Sequence, residues 1–578
     1  MKTKAAPDTE NESARNHALQ AWLGAIHRDA HWTDVARGLL CELLEVDTTP
    51  KPDRGACAAA EDACLAVVER WLASAAPRAR AARRPIRPEI AAHPYYSRPY
   101  YLAGLPAEPA DAARAAYAGR SNLMARLDGR GHGRLAFNAH IDTVPPHIAP
   151  RVENGVVHGR GSADDKGGVA AIILAAALLE HARERFGAVT PCDLLLQVVI
   201  DEETGGNGSL SLAHEPDNEF DAIVVLECTG LKAHPANRGA VWYRAELAAG
   251  TPGADLLGAA AFAIGAMEAE GRRIKAESAH PMFPTRPVQT CHGIFGHHGS
   301  HPSRLHDHVA LRLRWEGVPH SRLVREVDAA LGGYTAAYGD KTVPGAGDAL
   351  LARHLGWRAV KADSAVLDVH GLAGHMGATE RLDGAITKAA WIIRHLVEVR
   401  TARGGAWGSL RVELEAGTPA PLVLEGGQGF LPTHGLDEVT GRLSRAVHAG
   451  VAGFLALTGA TDSAVTARVD FDKLHNAAFA RHADCAAMRA IGGAMERAGI
   501  GRPGSVTGWT VSCDARIFAL SHPRADVVTF GPGELGVAHS GDEHVHLADV
   551  LRAAQTLAFM ALDFGGDAAD TTGSRETS

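Results

Sequence analysis

The stretch Asp193–Glu203, DLLLQVVIDEE, decides how this chain is read. Its centre is an almost unbroken apolar run with no alternation, which marks a strand buried on both faces. The run then ends in three consecutive carboxylates. Upstream, KGGVAAIILAAALLEHARERF (Lys166–Phe186) predicts a helix. On either side lie two more short runs of the same kind, GRLAFNAHI (Gly133–Ile141) and FDAIVVLECTG (Phe220–Gly230). Strands alternating with helices predict an α/β domain.

Each of these strands ends on residues that carry chemistry. AHIDTVP presents His140 and Asp142, GRGSADDKGG presents Asp164 and Asp165, and VIDEETGG presents Asp201, Glu202 and Glu203. VLECTG adds Glu227, and GPGELGVAHSGDE adds His539 far downstream. In open α/β sheets the loops at the carboxyl ends of strands are where ligands bind. Carboxylates converging behind apolar strands repel one another and are costly to bury unless a cation lies between them. Imidazole mixed with carboxylate suits Zn2+ better than Ca2+ or Mg2+, which prefer oxygen alone. Taken singly, each cluster has a plainer reading. An HxD at a strand end also serves structure, ADDK also caps a helix, and DEE also makes a solvated loop.

Outward from this core, the chain has 578 residues, more than one domain usually holds. With 46% hydrophobic and 22% charged residues it has ordinary globular composition. A formal charge of −9 without a basic run disfavours nucleic acid and anionic membrane as partners. The start, MKTKAAPDTENESARN, has no apolar core of a signal peptide, and no apolar run is long enough to span a bilayer. Eight cysteines without a CxxC pair argue against thiolate zinc and a disulfide framework, and fit a reducing cytoplasm.

The pattern assigns residues 16–234 to the first part of a catalytic α/β domain and 483–565 to its second part. Residues 235–482 form a large α+β insertion, and 1–15 and 566–578 are expected to be disordered. Pro77–Pro106, rich in Pro, Arg and Tyr, is expected to be a surface excursion. Inside the insertion, two segments follow the same order of strand, helix, strand, helix. The first runs from VWYRAELA to HSRLVREVDAALGGY and the second from SAVLDVHG to GLDEVTGRLSRAVHAGV. This order suggests an internal duplication, with one irregular domain as the alternative. The histidine-rich CHGIFGHHGSHPSRLHDH has no metal-site spacing and is expected to be lid surface.

HIDTVP, GRGSADDKGG, DEETGG and GPG…AHSGDE, in this order, resemble the co-catalytic zinc amidohydrolases and peptidases. That family includes aminoacylase, acetylornithine deacetylase, succinyl-diaminopimelate desuccinylase, carboxypeptidase G and dipeptidase V. NRGAVWYRAEL resembles the entry to the family's lid, and HGLAGHMG followed by DGAITKAAWIIRHL resembles the lid core. The resemblance covers roughly residues 30–565 and implies a mixed-sheet zinc-peptidase catalytic domain with an inserted α+β lid.

The resemblance also implies roles. His140 and Glu227 would bind one zinc, Glu203 and His539 the other, and Asp164 would bridge them, with a cis peptide after it. Asp142 would accept the second ring N–H of His140. Glu202 would be the general base, taking a proton from the water between the metals and passing it to the leaving amine. His375, in GHMG, would stabilise the oxyanion from the lid. Arg516, in SCDARIF, would bind a substrate carboxylate, with neutralisation by Asp514 as the plainer reading. Two Zn2+ are the implied cofactors, with Co2+ or Mn2+ able to substitute. The insertion is about twice the family's usual lid, as in dipeptidase V, so a monomer is expected with His375 acting in cis; a homodimer is the alternative. Glutamate at 227 is the family's deacylase and carboxypeptidase choice, so an N-acyl amino acid is favoured as substrate, ahead of a dipeptide. LECTG departs from the family's usual text at that point. A catalytically silent binding protein is the remote alternative.

Overall fold

The computed structural model describes residues 9–344, 350–376, 383–404, 408–502 and 504–565. It divides into two compact units, Met1–Asn237 with Phe479–Ser578, and Arg238–Ala478.

The first unit is built on a six-stranded mixed sheet. Its strands are β1 (Arg80–Pro85), β2 (Ser121–Leu127), β3 (Arg134–His140), β6 (Asp193–Val199), β7 (Ala222–Val225) and the strand Asp526–Thr529, in the order β1-β2-β6-β3-β7-(Asp526–Thr529). β3 runs parallel to both β6 and β7, and β7 runs parallel to Asp526–Thr529. Only β1 and β2 are antiparallel additions. Every residue of β6 is buried, as its unbroken apolar run requires. A short ribbon, β4 (Arg151–Glu153), β5 (Val156–His158) and the strand His544–His546, lies apart from the main sheet.

Helices cover the sheet. They are α1 (Thr9–Ala25), α2 (Ala30–Glu45), α3 (Arg54–Ala75), α4 (Pro109–Ala116), α5 (Lys166–Phe186), α6 (Asn207–Ala213) and the helices Ala486–Arg497, Ala515–Ser521 and Leu547–Asp563. α5 is buried along almost its whole length because it packs between β3 and a helical layer of α1, α2, α3 and Leu547–Asp563. That position explains a helix apolar on all sides. Gly187, at φ 68°, closes it with its N–H on the Arg183 carbonyl.

Two expectations need correction here. The polar N-terminal stretch is helical from Thr9, because α1 docks Leu19 and Leu23 into the core; residues 1–8 and 566–578 lie outside the described residues. The Pro77–Pro106 segment is not a surface excursion throughout. β1 pairs with β2, and Ile86, Ile90, Ser97 and Leu102 are buried.

The second unit contains two larger antiparallel sheets over one core, and a two-stranded pair, Arg304–Leu305 with Gly374–His375. In the first, the order is His298–Gly299, Thr290–Phe295, Leu422–Phe430, Gly239–Ala249, Val465–Asp470. In the second it is Leu355–Arg358, Ser364–His370, His308–Glu316, Ser409–Leu414. The helices Leu256–Glu277 and Leu436–Thr458 pack together, as do His320–Tyr338 and Ala385–Arg403. The second sheet is nested in the chain between two strands of the first. The tandem order read from sequence is therefore not the spatial order: Thr290–Phe295 of the first segment pairs with Leu422–Phe430 of the second.

In this unit the rings of His298, His306, His308 and His370 neighbour one another, with centroids 5.4–6.5 Å apart. Burial, reinforced by His306, His308 and His297, pulls the His298 pKa down to about 4. The unfolded chain, with His298 near its ordinary value, takes up a proton that the folded unit resists. This one group therefore takes nothing from stability above about pH 6.5 and lowers it as pH drops toward 4. After allowing for solvent screening the loss is about 1–2 kcal/mol. Urea midpoints at pH 7 and 4.5 should differ less in His298→Gln than in the parent.

All eight cysteines are free thiols. Among the described residues, no helix is long and apolar enough to cross a membrane.

Candidate metal centre

β3, β6 and β7 are parallel neighbours, so their carboxyl ends open on one edge. His140 is the last residue of β3, Asp201–Glu203 follow β6, and Glu227 follows β7. Asp164 and Asp165 directly precede α5, and the peptide bond between them is cis. His539 lies beyond the strand Asp526–Thr529, with φ at 62°. Four strand ends thus deliver residues from both ends of the chain to one place.

Two groups of side chains that could hold a metal ion form there. His140, Asp164 and Glu227 make one, and Asp164, Glu203 and His539 make the other; within each group the ligand atoms lie within 4.8 Å of one another. Asp164 belongs to both. Its Oδ1 is 3.1 Å from His140 Nε2 and its Oδ2 is 3.2 Å from His539 Nε2. His539 Nε2 is also 3.0 Å from Glu203 Oε1. Donors bound at about 2.0–2.2 Å to one tetrahedral zinc are about 3.3 Å apart, so these separations fit donor atoms sharing an ion. The electrostatics fit as well. Burial first, and then the Asp164 and Glu202 carboxylates, push Glu227 well above the ordinary carboxylate range. Burial, then Asp514, does the same to Glu202. Burial opposes ionisation of Asp164, yet hydrogen bonds from His140 and His539 hold it below the usual range. Carboxylates outnumber imidazoles in this buried space, and two divalent cations would supply the missing positive charge.

Beyond Asp142, the support around these ligands was not visible in the sequence. Asp142 is 3.5 Å from His140 Nδ1 through its carboxylate, but the closer partner of that nitrogen is the Asp142 main-chain carbonyl, at 2.9 Å. The Asp142 carboxylate also accepts the backbone N–H groups of Glu202 (3.1 Å) and Glu203 (3.0 Å). It therefore grips the turn that carries both glutamates.

The turn begins at Asp201, which is left-handed at φ 63°, a conformation costing a non-glycine residue about 1 kcal/mol or more. Its carboxylate is tied down by Tyr101 Oη (2.7 Å), Tyr117 Oη (2.8 Å) and Arg120 Nη2 (2.7 Å), and Arg120 also pairs with Glu61. This kink lets two adjacent glutamates face one site, which an extended strand would forbid. Gly206, at φ 79°, completes the turn; a Cβ there would lie 2.3 Å from Asp514 Oδ1.

Arg516 lies beside the glutamate turn. It is 1% exposed, and its Nη2 donates to the Gly205 carbonyl at 2.9 Å. Through that bond the guanidinium braces the glutamate turn, while its Nε and Nη1 are buried and make no hydrogen bond within the protein. Burial pushes the neighbouring Asp514 carboxyl up to about 6, against the pull of Arg516. His375 lies on the short strand Gly374–His375, paired with Arg304–Leu305 in the second unit; its side chain is outside the described residues.

Glu543 was also missed. It is 1% exposed, pairs with Arg160, and accepts the N–H groups of Gly161 (2.9 Å), Ala163 (3.2 Å) and Asp164 (3.2 Å). The signal was present as the Asp-Glu after His539, but nothing local tied it to residues 161–164. Glu543→Ala strands Arg160 and three amides, so it should cost about 3–5 kcal/mol in denaturant unfolding. It should also weaken metal binding about 10–100-fold in chelator competition.

A mixed sheet whose parallel strand ends hold a two-cation centre of imidazole and carboxylate is the build of a metal-dependent hydrolase. The chain belongs to Peptidase family M20/M25/M40, whose sequence profile matches residues 136–563. A Peptidase M20 domain-containing protein of Schizosaccharomyces pombe is 34% identical over 120 residues, covering 21% of this chain and 29% of the relative. The match thus spans under a third of that relative's length. Among solved structures, human carnosine dipeptidase 1 shares the fold at TM-score 0.55 and 14% identity, over 95% of this chain and 99% of that one. The di-peptidase Dug1p of Saccharomyces cerevisiae does so at TM-score 0.53 and 12% identity, with the same coverage of both chains.

Proposed function

We propose that the chain hydrolyses the amide bond of an N-acyl amino acid or small peptide, releasing an acid and a free amine. The observation that carries this reading is Asp164, whose two carboxylate oxygens face different imidazoles at 3.1 and 3.2 Å. His140, Asp164 and Glu227 hold one cation, and Asp164, Glu203 and His539 the other. When bound, such metals bring a water toward neutral acidity and polarise a carbonyl. Zn2+ suits the mixed nitrogen and oxygen donors, and Co2+ or Mn2+ can replace it.

Glu202 is the general base in this proposal. Its backbone is fixed by Asp142, and the raised affinity of its carboxylate for protons suits a group that must take one and give it back. It accepts a proton from the attacking water and returns it to the leaving nitrogen as the C–N bond breaks. Asp142 is a positioning residue. His375 is assigned the oxyanion of the tetrahedral intermediate, in cis within a monomer.

An N-acyl amino acid is the favoured substrate because glutamate stands at 227. Dipeptide hydrolysis is the second reading, favoured by the fold shared with two dipeptidases. A panel of N-acetyl amino acids, N-succinyl amino acids and dipeptides, assayed before and after chelation, tests both. Cleavage abolished by chelation and restored by Zn2+ is expected, with the N-acyl compounds turned over faster. Activity unaffected by full metal removal overturns the proposal, and a preference for dipeptides transfers it to the second reading.

A further inference from the structure

Outside the centre just described, a second kind of donor cluster lies on the ribbon of β4, β5 and His544–His546. The sequence Asp542-Glu543-His544-Val545-His546 alternates, and in an extended strand residues two apart share a face. His544 and His546 therefore point to one side and Val545 to the other. Glu543, before the strand, is turned inward to Arg160 and the Asp164 loop. His158 of β5 stands directly opposite His544 in the antiparallel register, which puts both imidazoles on the same face. Their ring centroids are 5.2 Å apart.

Asp542 reaches between them. Its Oδ1 is 3.3 Å from His158 Nδ1, and its Oδ2 is 4.0 Å from His544 Nδ1. One ligand atom from each of His158, Asp542 and His544 falls within a 4.8 Å group. His158 Nδ1 is buried and makes no hydrogen bond. Its 3.3 Å separation from the carboxylate equals the donor–donor edge expected around a tetrahedral zinc, about 3.3 Å. His544 Nδ1 lies 2.6 Å from the Asp542 carbonyl. An N–H donated there leaves the lone pair on Nε2, the arrangement found in metal-binding histidines. Solvent reaches the cluster: the side chains of His158, Asp542 and His544 are 20%, 78% and 27% exposed. The nearest cation in the ribbon, Arg151, opposite His158 on β4, is paired with Glu153.

We propose that His158, Asp542 and His544 form a further cation site, for Zn2+ or another first-row transition ion, separate from the strand-end centre. Two imidazoles and one carboxylate leave a fourth position for water. The ion ties β5 to the strand that follows His539 and Glu543, so it braces the segment that supplies one ligand of the main centre and supports another.

The test is a metal count on untagged full-length chain, stripped of metal and then dialysed against a slight excess of Zn2+. The readout is the difference between the parent and the double variant His158→Ala/His544→Ala, so it does not depend on how many ions the strand-end centre holds. The parent should bind one ion more per chain, and Asp164→Asn should keep that ion. With Co2+ in place of Zn2+, the visible absorption of a tetrahedral site should persist in Asp164→Asn and vanish when the two histidines are also replaced. Circular dichroism and thermal melting of the metal-free proteins confirm that each variant folds; if the double variant does not, Asp542→Asn replaces it in the same count. Equal zinc content in parent and folded variant overturns the proposal, as does an Asp164→Asn chain that binds no ion.

Discussion

Glu202→Ala should lower turnover of whichever amide the chain cleaves by about 10²–10⁴-fold while leaving the bound metal in place, the range expected for loss of a positioned general base. The separation of these two effects follows from the geometry. Glu202 belongs to neither group of ligand atoms, and the turn that presents it is held through its backbone N–H by Asp142, which alanine at 202 preserves. KM should change little, because the side chain removed acts on a proton and not on binding. A metal count beside a steady-state assay checks both halves. Retained activity removes Glu202 as base. Lost activity together with lost metal makes it a ligand.

Asp164→Asn should produce the opposite pattern, loss of metal first and of activity in consequence. One carboxylate serves both groups, with each oxygen toward a different imidazole. The amide has one oxygen acceptor and no charge, so it serves at most one cation, and the repulsion between two ions is no longer offset. Both ions of the centre should leave in mild dialysis, and activity should fall below detection without recovery on adding Zn2+. Melting of the metal-free variant should differ little from that of the metal-free parent, since Asn keeps the size and backbone N–H of Asp164. A variant that still holds both ions would show that Asp164 does not bridge.

The α/β core was legible because the signals for it are local. The apolar runs before His140, after Asp193 and before Glu227 need no partner to be recognised as strands that lie inside a sheet. The types of ligand were legible too, because strand ends concentrate them. Apart from Asp142 beside His140, what each ligand leans on was not legible. Tyr101, Tyr117 and Arg120 converge on Asp201 from a Pro- and Tyr-rich stretch and its sequel, which carry no periodicity that points inward. The type of Arg516 suits substrate recognition, and its burial beside Gly205 and Asp514 is set by packing that no local pattern reveals. The nesting of one sheet inside another in the second unit was hidden for a similar reason: each segment has the right order of elements, and only hydrogen-bond pairing decides which strands become neighbours.

By itself, then, the amino-acid order determined where strands and helices form and which chemical groups stand at their ends, since burial and backbone periodicity act over a few residues. Tertiary structure alone decided that Asp164 faces two histidines, that Asp142 grips the glutamate turn, that Glu543 supports the Asp164 loop, and that His158 meets His544. Those contacts join residues up to several hundred positions apart. Their energies depend on distance through space, to which spacing along the chain is blind.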